Sequence, residues 1–146
     1  MLLIIDTCCL ANVFNSDDQE HKNFEPVMTW IKKGKGQIVY GGTTYKKELS
    51  MAVRYFSLLA ELNRRGRVLQ VDDDLVDQEE KCVKGKEANK DFDDPHLIAI
   101  VIVSGCKVIC TNDKRAHRFI KKKNLYPKGF KRPAIYSNKR NSNLLI

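Results

Sequence analysis

The chain lacks the cysteine and histidine spacings of a structural zinc site. Its five cysteines include no CxxC: Cys8 and Cys9 are adjacent, Cys82 stands alone, and Cys106 and Cys110 flank a short apolar run. Its three histidines, His21, His96 and His117, form no close pair. This excludes a zinc finger or ribbon and leaves most of the cysteines as small core residues of a protein in a reducing compartment. No apolar run approaches the roughly 18 to 20 residues of a membrane span. The opening run, Met1 to Ile5, ends in an acid and has no basic segment before it, unlike a secretory signal. A soluble, cytoplasmic protein without membrane contact is expected. There is no internal repeat, which excludes a solenoid. Acid is scarce late in the chain: after Cys106 only Asp113 stands against 12 Lys and Arg, a segment charge of +11, whereas residues 1–106 carry 14 Lys and Arg against 17 Asp and Glu.

A slightly acidic body with a basic last quarter suits a polyanion held beside an acidic site, and equally a solvated basic tail. At 146 residues and 42% hydrophobic content the chain fits one domain, expected over residues 1–136, with a flexible polar tail at 137–146. Leu2 to Ile5 reads as a strand buried on both faces, and Gln37 to Tyr40, Arg67 to Val71, the run around Val108 and Ala134 to Tyr136 read as further strands. Between them lie helical patterns: Cys8 to Phe14, Asn23 to Lys33, Tyr45 to Leu49 followed by Ser50 to Arg64, the segment from Asp72 to about Cys82, Pro95 to Ser104, and Lys114 to Lys123. Thr43 or Thr44 is the expected cap of the third helix and Asp94 that of the helix opened by Pro95. Strands alternating with helices predict an α/β fold, a three-layer sandwich with a mostly parallel central sheet and Rossmann-like topology.

In such a sheet, strand ends and the helix starts that follow them converge on one crevice. Four acids occupy positions of that kind: Asp6 directly after the first strand, Glu48 one turn into the helix after the second, Asp94 at the head of a buried helix, and Asp113 after the strand around Val108. Each has an ordinary alternative, as a helix cap or a surface charge. Carboxylates gathered at one edge repel one another unless a proton or a hard divalent cation offsets their charge. The triplet Asp72-Asp73-Asp74 is different, because it stands at a helix start where capping accounts for it. His96 is read as packing or capping, His117 as solvated, and His21 is given no role. Lys46, Lys47, Lys114, Arg115 and Arg118 adjoin the acids in sequence and are candidates for holding a nucleic-acid backbone. Tyr126, Phe130 and Tyr136 alternate with Lys128, Lys131 and Arg132, a mix that serves either base stacking or core anchoring.

Four segments, Ile4-Ile5-Asp6-Thr7, Tyr45-Lys46-Lys47-Glu48-Leu49, Asp94-Pro95-His96-Leu97-Ile98-Ala99 with Val103-Ser104-Gly105, and Thr111-Asn112-Asp113-Lys114, make the chain resemble the PIN domain family of metal-dependent ribonucleases. The resemblance spans about Met1 to Lys123 and is strongest from Asp94 to Asp113. Cys8 departs from the Asn, Ser or Thr that many members carry there. The resemblance implies that Asp6, Glu48, Asp94 and Asp113 bind Mg²⁺ or Mn²⁺ and carry catalysis, with Thr111 as a supporting hydroxyl. It implies cleavage of single-stranded or structured RNA, a toxin restrained by an antitoxin or other regulatory protein over the acidic site, and a homodimer as one assembly. The alternative is a catalytically silent module of the same fold that binds nucleic acid or protein. A phosphate-accepting receiver domain fits less well, since it requires an acid pair after the first strand where Asp6 is single.

Overall fold

The short apolar runs become the strands of one parallel sheet. In the computed structural model, which describes residues 1–146, β1 (Leu2–Ile5), β2 (Gln37–Tyr40), β3 (Val68–Gln70), β4 (Val108–Cys110) and β5 (Ala134–Tyr136) lie in the order β3-β2-β1-β4-β5. Every neighbouring pair is parallel. Seven helices connect and flank them: α1 (Leu10–Phe14), α2 (His21–Lys32), α3 (Thr43–Met51), α4 (Val53–Arg64), α5 (Asp73–Gly85), α6 (Pro95–Ser104) and α7 (Lys114–Ile120). This is the expected three-layer α/β sandwich with Rossmann-like strand order. Leu3, Ile4, Ile5, Ile109 and Cys110 are wholly buried, as strands covered on both faces must be. No helix is long and apolar enough to cross a membrane.

Strand order reverses at β1, with β2 and β3 to one side and β4 and β5 to the other. Ile5 is in register with Cys110, and the Asp6 amide donates to the Cys110 carbonyl at 2.9 Å. Asp6 and Thr111 therefore leave the sheet side by side at the switch point, where open α/β sheets form their crevice. α6 is buried along Pro95 to Val101 and ends at Gly105, whose φ of +70° is the left-handed stop of a helix C-terminus.

The start of α3 differs from the expected threonine cap. Its N-cap is Gly42, at φ +87°, and no side chain of α3 caps it. The orphan amides are met from α5 instead: Gly42 N donates to Asp73 Oδ1 at 2.9 Å and Thr43 N to Asp77 Oδ1 at 2.8 Å. Thr43 and Thr44 turn their hydroxyls outward to Asp77 Oδ2 (2.6 Å) and Glu80 Oε2 (2.8 Å). Three acids at helical spacing on α5 thus clamp the entry to α3. The triplet before α5 is structural, with Asp72 accepting from Leu75 N at 3.1 Å and Asp73 holding Gly42 and Lys46.

The polar tail at 137–146 carries a 3-10 helix over Lys139–Leu144. Asn138 and Asn141 supply a reciprocal capping box, and Trp30 Nε1 donates to the Ile146 carbonyl at 3.1 Å. Tyr126 and Tyr136 are buried, their hydroxyls donating to the carbonyls of Ile120 (2.7 Å) and Asn23 (2.8 Å), so they anchor the C-terminal segment. Cys9, Cys106 and Cys110 are buried, Cys8 and Cys82 are exposed, and all five are free thiols.

Candidate metal centre

Tyr45 explains how Glu48 reaches the crevice. The ring is fully buried, stacked on Tyr40 at 5.2 Å, and its hydroxyl donates to the Ile5 carbonyl at 2.6 Å. This fastens the first turn of α3 onto the end of β1. Three residues on, one helical turn, Glu48 faces the same crevice, and Thr7 Oγ1 donates to its Oε1 at 3.3 Å.

Asp94 occupies the N-cap position of α6, yet its carboxylate accepts no backbone amide there. The cap expected of it is not made, which leaves both oxygens available to the crevice. His96, two residues on, is 1% exposed. Its Nε2 lies 3.0 Å from Glu48 Oε1, but off the ring N–H direction, so the contact is between charges and not an aligned hydrogen bond. One donor atom from each of Glu48, Asp94 and His96 falls within 4.8 Å of the others.

Asp6 and Asp113 stand just outside this tight group, joined by Thr111. The buried Thr111 hydroxyl donates to Asp6 Oδ2 at 2.9 Å and accepts from the Asp113 amide at 3.2 Å. Asp113 caps α7, accepting from Arg115 N at 3.0 Å. The turn between them is braced on both sides: Asn112 Nδ2 donates to Asn12 Oδ1 at 3.1 Å, and His117 Nε2 lies 3.0 Å from the Thr111 carbonyl.

The electrostatics tie the acids together. Burial, followed by the charge of Asp6 and smaller effects of Glu48 and Asp113, pushes the Asp94 carboxyl up to about 6, with His96 opposing. The imidazole beside it holds Glu48 below the usual carboxylate range. Burial alone would depress His96, but Glu48, Asp94 and Glu80 together raise it above the ordinary imidazole value.

The five candidate cations divide. Lys46 is paired to Asp73 at 2.7 Å and Arg118 to Asp91 at 3.1 Å. Arg115 lies between Asp93 (4.0 Å) and Asp113 (3.8 Å) at the lip of the crevice. Lys47 and Lys114 are exposed and make no ion pair. Most of the basic C-terminal charge is elsewhere. Because β5 runs parallel to β4 and starts beside Val108, Lys131 and Arg132 enter at the sheet edge opposite Asp6, where with Lys121 and Lys123 they line a separate basic cleft.

His96, expected to pack or cap the helix start, is the member of this group that the sequence did not single out; its burial beside Glu48 does so. The larger surface clefts are lined by other segments, among them α2 with the C-terminal residues. No family model, no curated protein and no solved structure matches this chain.

Proposed function

We propose that this protein is a metal-dependent endoribonuclease of the PIN type, hydrolysing RNA phosphodiester bonds at a site of Asp6, Glu48, Asp94 and Asp113 that holds Mg²⁺ or Mn²⁺. The observation that carries the proposal is the position of Asp94. Its carboxyl is partly buried at a helix head, makes no cap, and responds to the charges of three acids from three other segments. A carboxylate left in that company without a cap is poised for a cation. The residues fit a divalent ion: oxygen donors predominate, one imidazole is within reach, and Thr111 holds Asp6 and the Asp113 backbone in fixed relation.

A bound divalent ion supplies Lewis acidity toward a phosphoryl oxygen and water of lowered pKa. The chain supplies the rest. Tyr45 fixes the height of Glu48 above the sheet, and Thr111 orients Asp6. Lys47 and Lys114, exposed and unpaired, adjoin Glu48 and Asp113 in sequence and are assigned the phosphate contacts. A restraining protein of antitoxin type belongs to the same proposal. Met51, Val53 and Phe56, exposed at the α3–α4 junction just beyond Glu48, offer it apolar surface.

The test is RNA cleavage by purified protein with Mn²⁺ or Mg²⁺. Cleavage abolished by EDTA and by Asp6→Asn or Asp94→Asn supports the proposal. RNA binding without metal-dependent cleavage overturns it in favour of a silent binding module.

A further inference from the structure

His96 and Glu80 present two buried polar groups that a four-carboxylate centre leaves unused. The His96 ring is 1% exposed, its Nδ1 has no hydrogen-bond partner, and Nε2 has none that is aligned. Burying a polar ring unpaired is costly, and such groups call for a partner. Glu80 carries the second orphan. Its Oε2 accepts the Thr44 hydroxyl at 2.8 Å, while Oε1 is buried without a partner. α5 packs along α6, and the Glu80 charge acts on His96.

We infer that His96 Nε2 is a metal ligand alongside Glu48 and Asp94, and that the centre prefers a first-row transition ion to Mg²⁺. The inference rests on the metal-site part of the proposal above and not on nuclease activity. The 3.0 Å between Glu48 Oε1 and His96 Nε2 matches two ligands at right angles around one ion, which for bonds of about 2.1 Å stand about 3.0 Å apart. Asp94 falls within the same group. An imidazole in the ligand set matters for selection, since it suits Fe²⁺, Ni²⁺ and Zn²⁺ far better than Mg²⁺, which keeps to oxygen. Metal-bound histidines generally donate their second N–H to a carboxylate, which fixes tautomer and ring angle.

Pulsed EPR of the Mn²⁺-loaded protein tests the ligand. The wild type is expected to show ¹⁴N modulation from a bound imidazole, and His96→Gln to lose it. Should His96→Gln fail to fold, ¹⁵N labelling of the wild-type histidines serves: the nitrogen coupling is expected to change from the ¹⁴N to the ¹⁵N pattern. Calorimetry should show Mn²⁺ and Zn²⁺ binding more tightly than Mg²⁺. Mn²⁺ bound to the wild type without nitrogen modulation, or Mg²⁺ binding as tightly as Mn²⁺, would each overturn the inference. Nitrogen coupling without RNA cleavage would sink the nuclease and leave this ligand set standing. Mg²⁺-supported cleavage without nitrogen coupling would do the reverse.

Discussion

Nε2 of His96 and Oε1 of Glu48 lie 3.0 Å apart, joining the first turn of α6 to the middle of α3 across the end of β1. Around this contact Asp94 is raised to about 6 from 3.8, His96 is raised from 6.5, and Glu48 is lowered from 4.5.

Those directions fix a pH dependence for the metal-free protein. A raised folded pKa gives stability that is fully present below the unfolded value and lost as pH rises through the folded one; this applies to both Asp94 and His96. The lowered Glu48 contributes above about pH 4.5 and only fails in more acid solution. Stability in EDTA should therefore fall as pH rises from about 5 through 7, and Asp94→Asn should flatten the lower part of that fall. Urea titrations at several pH values measure it, and stability that rises across this window would contradict the arrangement. Saturating Mn²⁺ should remove or reverse the slope, because the ionised site binds the ion.

Tyr45→Phe removes the buried hydroxyl that donates to the Ile5 carbonyl at 2.6 Å. The ring still stacks on Tyr40, so the cost is an unpaired buried acceptor, about 1–3 kcal/mol by denaturant unfolding. Metal affinity should weaken with it, since the first turn of α3 loses its tie to β1. Unchanged stability would mean that packing alone places Glu48.

Thr111→Val keeps side-chain shape but deletes the group joining Asp6 Oδ2 to the Asp113 amide. A stability loss of about 1–3 kcal/mol is expected from the two unmet partners. Mn²⁺ affinity should fall further than in a remote variant of equal stability, such as Trp30→Phe, which removes the bond to the Ile146 carbonyl. Equal Mn²⁺ affinity in the two variants would deny Thr111 any role beyond folding.

Gly42→Ala tests the clamp on α3. At φ +87° an added Cβ would stand 2.5 Å from Val76 Cγ1, so backbone strain and a clash coincide where Asp73 and Asp77 hold the helix start. A loss of about 1–3 kcal/mol is expected. Gly66, also at positive φ, has open space around it, and Gly66→Ala should cost less.

Single alanine substitutions of Lys47 and Lys114 should each weaken RNA binding and lower the salt slope by about one. Arg118→Ala should change it less, since that guanidinium is spent on Asp91. Salt titrations of RNA binding decide, and equal effects at all three positions would mean that the ion pair opens freely on binding.

What the sequence alone determined was local. Leu2 to Ile5 is too short and too apolar for anything but a buried strand, Gly105 stops α6 because a left-handed residue is needed there, and alternation of such runs with helices fixed the fold class. It also named the four acids, because Asp6 and Asp113 follow strands, Asp94 opens a helix and Glu48 lies one turn into the helix after a strand. Tertiary structure decided what no neighbouring residue encodes. The threonine cap of α3 gave way to Asp73 and Asp77, some thirty residues distant, because α5 presents carboxylates where the orphan amides emerge. The C-terminal residues are ordered against Trp30 from 116 positions away. His96 comes beside Glu48 and Asp94 only because α3 and α6 pack together and bury its ring. Burial of a polar group depends on the sum of all contacts around it, and that sum exists only once the chain has folded.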